Sequence, residues 1–154
     1  MIHSMKFLLL LLFSAMNVVT LSAQKLTVIV TDIEADKGVL MVGVCNNEKD
    51  FPDTFFRGEK VKITGETMTV TFSDLPQGVY AVAVYQDENE NERLDKTPAG
   101  IPKEKYGFSN DQKIPNYKKS TFTFDKDTTV NIKLTSIKHS NSDENSTKNG
   151  NNSY

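Results

Sequence analysis

Residues 68–72 read MTVTF, a run in which three apolar side chains alternate with two threonines. Successive side chains of a β-strand point to opposite faces of the sheet, so this alternation is typical of a strand with one face in a core and the other in water. The same period of two returns near the carboxyl end, at residues 122–124 and 130–134. These strands each offer one face to a shared core.

Other segments are apolar on both faces, as expected of central strands, and they are residues 26–31, 39–44 and 79–85. Residues 60–64 also have strand character, and the Gly65-Glu66 pair before residues 68–72 predicts a two-residue hairpin loop. No segment has a convincing amphipathic helical pattern. About seven short strands with turn punctuation favour an all-β fold, an antiparallel β-sandwich, over the competing closed barrel.

The amino end predicts an export signal. Lys6 precedes an unbroken apolar run at residues 7–13, and Ala23 is a small residue at a plausible cleavage point. We therefore expect a signal peptide over residues 1–23 and a periplasmic or secreted protein. The alternative is a membrane anchor, but Ser14 interrupts the run well before the ~20 residues that a spanning helix needs. We expect no transmembrane segment after cleavage of the leader.

The carboxyl end limits the extent of the domain, and the net charge limits the kinds of partner. Residues 136–154 are rich in Ser, Asn, Asp and Lys and are predicted to be a disordered polar tail, which leaves residues 24–135 as one β-sandwich domain. The formal net charge of −2 is too small to direct the chain to nucleic acid or to an anionic membrane.

A long insertion at residues 86–119 opens with a segment that we call the acidic loop, residues 87–95. Its oxygen-bearing side chains have the alternate spacing with which a short loop wraps a hard cation. We predict a calcium site with side-chain ligands from Asp87, Asn89, Asn91 and Asp95, the backbone carbonyl of Arg93, and Glu104 if the chain folds back after Pro98.

The match to an EF-hand is partial. The sixth position is Glu92 where that motif needs glycine, and the twelfth is Pro98 where it needs glutamate. The alternative interpretation is a solvated loop whose Asn and Asp side chains cap their own backbone turns.

Catalysis has little support in the sequence. His3 and His139 both lie outside residues 24–135, so the predicted domain lacks the usual general base and has no imidazole for zinc. Cys45 lies in an apolar run and is expected to be a buried small hydrophobe. We expect a protein that is not an enzyme; the alternative is a carbohydrate-active or other hydrolase that uses Glu104 with Asp87 or Asp95.

Two sets of aromatic residues form either a small satellite core or an exposed patch that binds a ligand. They are Phe51, Phe55 and Phe56 in one loop, and Tyr106, Phe108 and Tyr117 in the long insertion. If both sets are exposed on one face, binding of sugar or peptide becomes credible, with a carbohydrate or an envelope protein as the partner.

Two motifs carry a resemblance to a known family. Residues 75–84 read LPQGVYAVAV and lead into the Asp-x-Asn-x-Asn pattern of the acidic loop, and residues 100–110 read GIPKEKYGFSN. Over residues 25–134 the chain resembles an exported bacterial family, the domain of unknown function number 2141. The resemblance implies a periplasmic or secreted β-sandwich and no established activity. Glu92 departs from the family pattern, which usually has glycine there.

The Leu-Pro-x-Gly-x-Tyr-x-Val pattern also resembles transthyretin-like modules and collagen-binding-type B modules, some of which carry similar calcium loops. This likeness implies an immunoglobulin-like or prealbumin-like sandwich with one long loop insertion. The combined expectation is an exported, non-catalytic β-sandwich module with a calcium-stabilised acidic loop and a structural or binding role in the bacterial envelope.

Overall fold

Eight β-strands form two sheets in the computed structural model, which describes residues 23–137 of the chain. In chain order the strands are β1 (Leu26–Thr31), β2 (Val39–Cys45), β3 (Arg57–Lys62), β4 (Met68–Phe72), β5 (Gly78–Asp87), β6 (Tyr106–Phe108), β7 (Phe122–Phe124) and β8 (Thr128–Lys133). A single helical turn, α1 (Tyr117–Ser120), precedes β7. The predicted all-β sandwich is confirmed, while its immunoglobulin-like or prealbumin-like topology stays a prediction.

The strands divide into a three-stranded sheet of order β4-β1-β8 and a five-stranded sheet of order β3-β2-β5-β6, with β7 also paired to β5. Strands β6 and β7 share one edge of the long strand β5, at residues 83–85 and 78–80. Between them the Ser109 hydroxyl accepts the backbone N–H of Val82 at 2.9 Å. A side chain thus completes the hydrogen bonding that two short strands leave open.

The core lies between the inner faces of the two sheets. Strand β1 alternates buried and half-buried residues along its length, as a period of two requires. The largest side chains without solvent exposure include Leu26 and Ile132 from the first sheet and Leu40 from the second, with Phe124 from β7. Burial of these side chains is the main stabilising contribution to the fold.

One strand pair differs from the predicted antiparallel arrangement. Strands β1 and β8 run parallel, with Leu26 opposite Thr128 and Thr31 opposite Lys133. Parallel neighbours need a long crossover, and here the rest of the domain supplies it. The alternation in the sequence indicates which face of each strand is buried but carries no information about the direction of its neighbour.

The predicted hairpin across Gly65-Glu66 is wrong. Strand β3 pairs with β2, whereas β4 pairs with β1 in the other sheet. The chain crosses between the sheets after β3, and Ile63, which is 3% exposed, enters the core on the way. Two strands separated by a short turn are therefore not neighbours in this fold.

The predicted loop insertion at residues 86–119 has structure of its own. It contains β6, a 3-10 turn at Ser109–Asp111 and α1. The predicted signal peptide and polar tail lie outside the described residues, except for Ala23 and residues 136–137. Within residues 23–137, no helix has the length and apolar character to cross a membrane.

Candidate functional site

The acidic loop begins at Asp87, the last residue of the central strand β5. Asp87 has no solvent exposure. The turn between β1 and β2 packs directly on it, and a Cβ atom at Gly38 would overlap the Asp87 carbonyl oxygen. Gly38 also has a φ of 67°, a conformation that favours glycine. The loop is therefore fixed at its first residue.

The Asp87 carboxylate holds the loop that follows it. One oxygen accepts the backbone N–H of Asn91 at 3.1 Å, and the other accepts that of Glu92 at 2.7 Å. Glu90 and Glu92 have φ values of 59° and 62°, in the left-handed region that non-glycine residues seldom adopt. These two residues curl the backbone around the carboxylate.

Asp95 closes the loop from its other end. Its carboxylate accepts hydrogen bonds from the side-chain amide of Asn89 at 2.8 Å and from that of Asn91 at 3.1 Å. The four predicted side-chain ligands are thus brought together in one hydrogen-bonded network. The amide oxygens of Asn89 and Asn91 also accept backbone N–H groups two residues onward, as the alternative interpretation of capped turns expects.

Glu104 reaches the loop because the chain folds back after Pro98, the condition on which its role as a ligand depended. Lys96 pairs with Pro102, and the turn between them ends at Gly100, whose φ is 79°. The Glu104 carboxylate is 4% exposed and accepts the backbone N–H groups of Glu88 and Asp95, both at 2.9 Å. One buried side chain therefore ties the two ends of the acidic loop together.

The surroundings of Glu104 raise the pKa of its carboxyl group above the ordinary value. Burial is the largest cause, and the carboxylates of Asp95 and Asp87 add to it. The two backbone hydrogen bonds act in the opposite direction because they favour the ionised form. Burial of the Glu104 carboxyl therefore outweighs its two backbone hydrogen bonds in setting the direction of the pKa shift.

The remaining glutamates of the loop point outwards, as expected. Glu88 pairs with Lys37 at 2.7 Å, and Glu92 pairs with Lys60 at 3.0 Å. Glu90 is exposed. These side chains contribute charge near the loop without entering the network around Asp95.

The geometry defines what a cation would need here. No group of three or more His, Cys, Asp and Glu side chains within residues 23–137 is arranged to hold a metal ion. A cation in the acidic loop would therefore use the amide oxygens of Asn89 and Asn91 beside the carboxylates of Asp87 and Asp95. A half-turn of each amide group would present its oxygen in place of its nitrogen. Arg93, the predicted source of a carbonyl ligand, lies in the loop between Asn91 and Asp95, where its backbone N–H donates to the Asn91 amide oxygen at 2.9 Å.

Gln86 is a buried polar residue beside the acidic loop that was not predicted from the sequence. It has no solvent exposure, and its side chain accepts the backbone N–H of Glu34 at 2.9 Å. Its amide nitrogen donates to the carbonyls of Glu34 and Lys37, both at 2.8 Å. Gln86 thus holds the β1–β2 turn against the start of the acidic loop. A glutamine inside an apolar strand was the available signal, since buried polar groups need partners.

The two aromatic sets pack together on the outer face of the five-stranded sheet. Phe51 lies 5.3 Å from Phe108 and 5.7 Å from Tyr117, measured between ring centroids. Phe55 lies over Gly43, where a Cβ atom would overlap its ring, and Gly58 is the partner of Gly43 on β3. The satellite core is confirmed for these residues. We call the cluster of Ala83, Tyr106, Phe108, Phe51, Phe55, Tyr85 and Leu94 the aromatic cluster.

Phe56 is separate from this cluster. It is 37% exposed and stacks on Tyr80 with ring centroids 6.1 Å apart, while the Arg57 guanidinium lies 5.1 Å from its ring.

Cys45 is buried as predicted, and burial raises the pKa of its thiol to about 12, which keeps it in the unreactive protonated form.

A groove of about 330 Å³ lies beside the aromatic cluster, between the β2–β3 loop and the acidic loop. Tyr85, Tyr106 and Phe108 form its aromatic side, and Leu94 of the acidic loop contributes to its wall. Lys96, which directly follows the acidic loop, forms a salt bridge of 3.7 Å with Asp53 of the β2–β3 loop across the groove. The groove was not predicted from the sequence, although Leu94 is the one apolar residue of the acidic loop.

The carboxylates of the hydrolase alternative lie elsewhere. Asp87 and Glu104 are buried, both oxygens of each accept backbone N–H groups, and neither residue lines the groove. A glycoside hydrolase needs two carboxyl groups that face a substrate across an open cleft. Asp95, the other carboxylate of that alternative, does not line the groove either. The hydrolase alternative stays a prediction.

Comparison with known proteins identifies one family. The model of the family described as Uncharacterized protein conserved in bacteria (DUF2141) matches residues 28–133, which is more than half of the chain. No curated protein and no solved structure matches this chain. The expected family is confirmed, and the transthyretin-like likeness stays a prediction. The chain belongs to the bacterial family DUF2141.

Proposed function

We propose that this protein is an exported, non-catalytic β-sandwich module of the bacterial envelope whose acidic loop binds calcium. The observation that carries the proposal is the meeting of Asp87, Asn89, Asn91 and Asp95 in one network at the end of the central strand β5. Calcium takes carboxylate and amide oxygens in flexible geometry, and this loop offers both kinds.

The charge of the loop supports a cation. Residues 87–95 carry five carboxylates and one arginine, and Glu104 adds a sixth carboxylate from outside the loop. Lysines pair with Glu88 and Glu92 only. Asp87, Asp95 and Glu104 stay close together without a lysine or arginine partner among the described residues. A divalent ion would lower the repulsion among these three carboxylates.

Export and the absence of catalysis rest on the sequence. The charged start, the apolar run at residues 7–13 and Ala23 support a cleaved leader. Extracellular calcium modules work at dissociation constants of about 10⁻⁴–10⁻³ M, a range that suits a loop with few carboxylate ligands. A domain without histidine, whose buried carboxylates accept backbone hydrogen bonds, supports a binding or structural role over hydrolysis.

Titration calorimetry of the protein with calcium chloride tests the proposal. We expect one saturable binding event per chain, which chelator abolishes, and much weaker binding of magnesium, whose octahedral shell suits such a loop poorly. A protein that takes up no calcium at millimolar concentration would contradict the cation function and favour the interpretation of a loop closed by its own hydrogen bonds.

A further inference from the structure

We propose that the free edge of strand β4 pairs with the same edge of a second copy of this chain. The pairing is antiparallel, with its two-fold axis at Val70, and it joins two three-stranded sheets into one six-stranded sheet. The inference is independent of the calcium proposal, because the acidic loop follows β5, a strand of the other sheet.

Strand β4 has an edge that pairs with no other strand among residues 23–137. It lies at one end of the three-stranded sheet, where β1 is its only neighbour. Its pairing runs without interruption from Met68 opposite Val30 to Phe72 opposite Leu26, so no bulge bends the strand away. The backbone N–H and C=O groups along the open edge are therefore a template for a further strand.

The edge of β4 is uncharged, unlike the edge of the five-stranded sheet at β3. Arg57 and Glu59 of β3 lie opposite Val44 and Val42, which belong to the core, so β3 carries two charges on its inward face. Inward-pointing charges on an edge strand hinder the approach of another strand. Residues 67–73 contain no charged residue and no proline. Of these two edges, only β4 is suited to pairing.

The residues of β4 are symmetrical in chemical type about Val70. Thr69 and Thr71 are exposed on the outer face, while Met68 is half-buried and Phe72 is buried on the inner face. In an antiparallel pair centred on Val70, Thr69 lies opposite the partner's Thr71, and Met68 lies opposite the partner's Phe72. Hydroxyl groups then meet on one face and apolar side chains on the other, and both kinds of pair stabilise a sheet. A two-fold interface requires such self-complementarity, because one surface supplies both halves.

Charged residues beyond the two ends of β4 favour this register over its neighbours. A centre one residue nearer the amino end places Glu66 opposite the partner's Phe72. A centre one residue nearer the carboxyl end places Asp74 opposite the partner's Met68. Each shift brings a carboxylate against an apolar side chain at the edge of the core, which is unfavourable. The centre at Val70 instead pairs all five residues of the strand.

The size and the charge of the contact both indicate a weak dimer. Five residues from each subunit are few beside the about 20–30 residues a side of a standard interface. With the centre at Val70, Glu66 lies opposite the partner's Asp74 just beyond each end of the strand, and salt screens this repulsion. We therefore expect a reversible dimer whose affinity rises with ionic strength.

Sedimentation velocity of the protein recovered from the cell, from micromolar to millimolar concentration, tests the proposal. We expect a monomer–dimer equilibrium whose dissociation constant falls about twofold or more between low and moderate salt. A protein that stays monomeric at millimolar concentration would overturn the proposal. An open-ended series of larger assemblies would also overturn it, because pairing of β4 with a different edge does not close.

Two lysine variants separate the edge of β4 from the charge of the whole protein. Thr69→Lys with Thr71→Lys places lysine opposite lysine at two points of the dimer and should weaken it about tenfold or more. Thr129→Lys with Asn131→Lys adds the same charge on β8, at the other side of the same sheet, where both residues are exposed. This control should leave the dissociation constant unchanged. Equal weakening by the two variants would contradict pairing through β4.

A mixture of opposite charges tests the partner's identity. Thr69→Glu with Thr71→Glu should dimerise as poorly as the lysine variant when each is alone. Mixed together, the two should form a heterodimer, because each lysine then lies opposite a glutamate. Association only in the mixture also shows that both variants are folded. A mixture that associates no better than its components would contradict the pairing.

Cysteine cross-linking tests the register with small substitutions. Thr69→Cys mixed with Thr71→Cys should form a disulfide between subunits, since opposite Cα atoms in such a pair are about 4.5–5.5 Å apart. Each variant alone should cross-link more slowly, because its cysteine lies diagonally from its own copy. The native Cys45 is buried and does not compete. Cross-linking that is no faster in the mixture than in either variant alone would overturn the centre at Val70.

Discussion

The Glu104 carboxylate accepts the backbone N–H of Asp95 at 2.9 Å, across nine positions of the chain. Its second oxygen accepts the N–H of Glu88 at the same distance. The two ends of the acidic loop therefore meet at one buried side chain that comes from outside the loop. Glu104 thus ties the two ends of the acidic loop together.

Glu104→Gln is expected to lower the free energy of unfolding by about 1–3 kcal/mol, the range for a buried hydrogen-bonding group left without its partner. A glutamine has one acceptor oxygen, so its NH₂ group would face one of the two backbone N–H donors. Urea denaturation measures the change.

Glu59→Gln is the matched control, because Glu59 is exposed on the edge strand β3. Its stability should equal that of the wild type within experimental error. Equal stability of the two variants would contradict the role of Glu104 in closing the loop.

The raised pKa of Glu104 predicts a pH dependence of stability without calcium. Because the folded state holds this proton more tightly than the unfolded state, the contribution of Glu104 is greatest below the unfolded value of 4.5. It is lost as the pH rises through the higher pKa of the folded state. Urea denaturation in chelator between pH 4 and pH 7, for wild type and Glu104→Gln, measures it.

The wild type should lose stability relative to Glu104→Gln as the pH increases over that range. Carboxylates remote from Glu104 contribute to both proteins and cancel in the difference, which leaves Glu104 and its coupling to Asp87 and Asp95. A constant difference between the two proteins would show that Glu104 titrates near its ordinary value.

The sequence predicted the parts of this fold that depend on periodicity or on local spacing. Alternation in β4 identified a half-buried strand, and the spacing from Asp87 to Asp95 predicted a loop whose side chains meet. Both features depend only on residues that are close in the chain. The return of Glu104 after Pro98 was considered only as a condition, although Pro98 and Gly100 are residues that mark turns.

The features that were missed depend on residues far apart in the chain. A period of two does not specify the neighbour of a strand, so the parallel pairing of β1 with β8 and the separation of β3 from β4 were not predictable. The groove forms where Tyr85 and Leu94 meet the β2–β3 loop, and no local pattern marks that meeting.

The contact between Phe55 and Gly43 predicts a stability effect on the outer face of the sheet. Gly43→Ala should destabilise the protein by about 1–3 kcal/mol, because the added methyl group overlaps the Phe55 ring. In a Phe55→Ala background the same change should cost little, since the ring is gone. Thermal unfolding of the four proteins in this cycle measures the coupling.

Gly65→Ala is the control for this cycle. The nearest atom to a Cβ there is the Thr67 carbonyl oxygen at 4.0 Å, so the methyl group has room. An equal cost of Gly43→Ala with and without Phe55 would show that backbone effects of glycine, and not the ring, determine the loss.

Export predicts a specific mass for the protein. If the leader is cleaved after Ala23, the chain recovered from the cell envelope or medium begins at Gln24. Intact-mass spectrometry measures this directly. Replacing Leu9 and Leu10 in the apolar run with glutamine should block processing and leave the full-length mass in the cell. A full-length mass for the wild-type protein in the envelope fraction would contradict cleavage.

Calcium is expected to raise the stability of the wild-type protein because the ion binds only the folded loop. The gain amounts to about 2.7 kcal/mol when free calcium is a hundredfold above its dissociation constant. Asp87→Asn should remove most of this gain, since it takes a charge from the centre of the loop. Glu90→Gln should retain most of it, because Glu90 lies outside the network around Asp95. Melting temperatures in calcium and in chelator give the gain for each protein.

The comparison is made within each protein, so a direct effect of Asp87→Asn on folding cancels from the calcium gain. This matters because Asp87 also holds the backbone N–H groups of Asn91 and Glu92. Both variants remove one carboxylate from the same nine-residue segment and therefore change the local charge equally. Equal gains in the two would mean that calcium acts through general charge screening. A gain lost only in Asp87→Asn would place the ion at the end of β5.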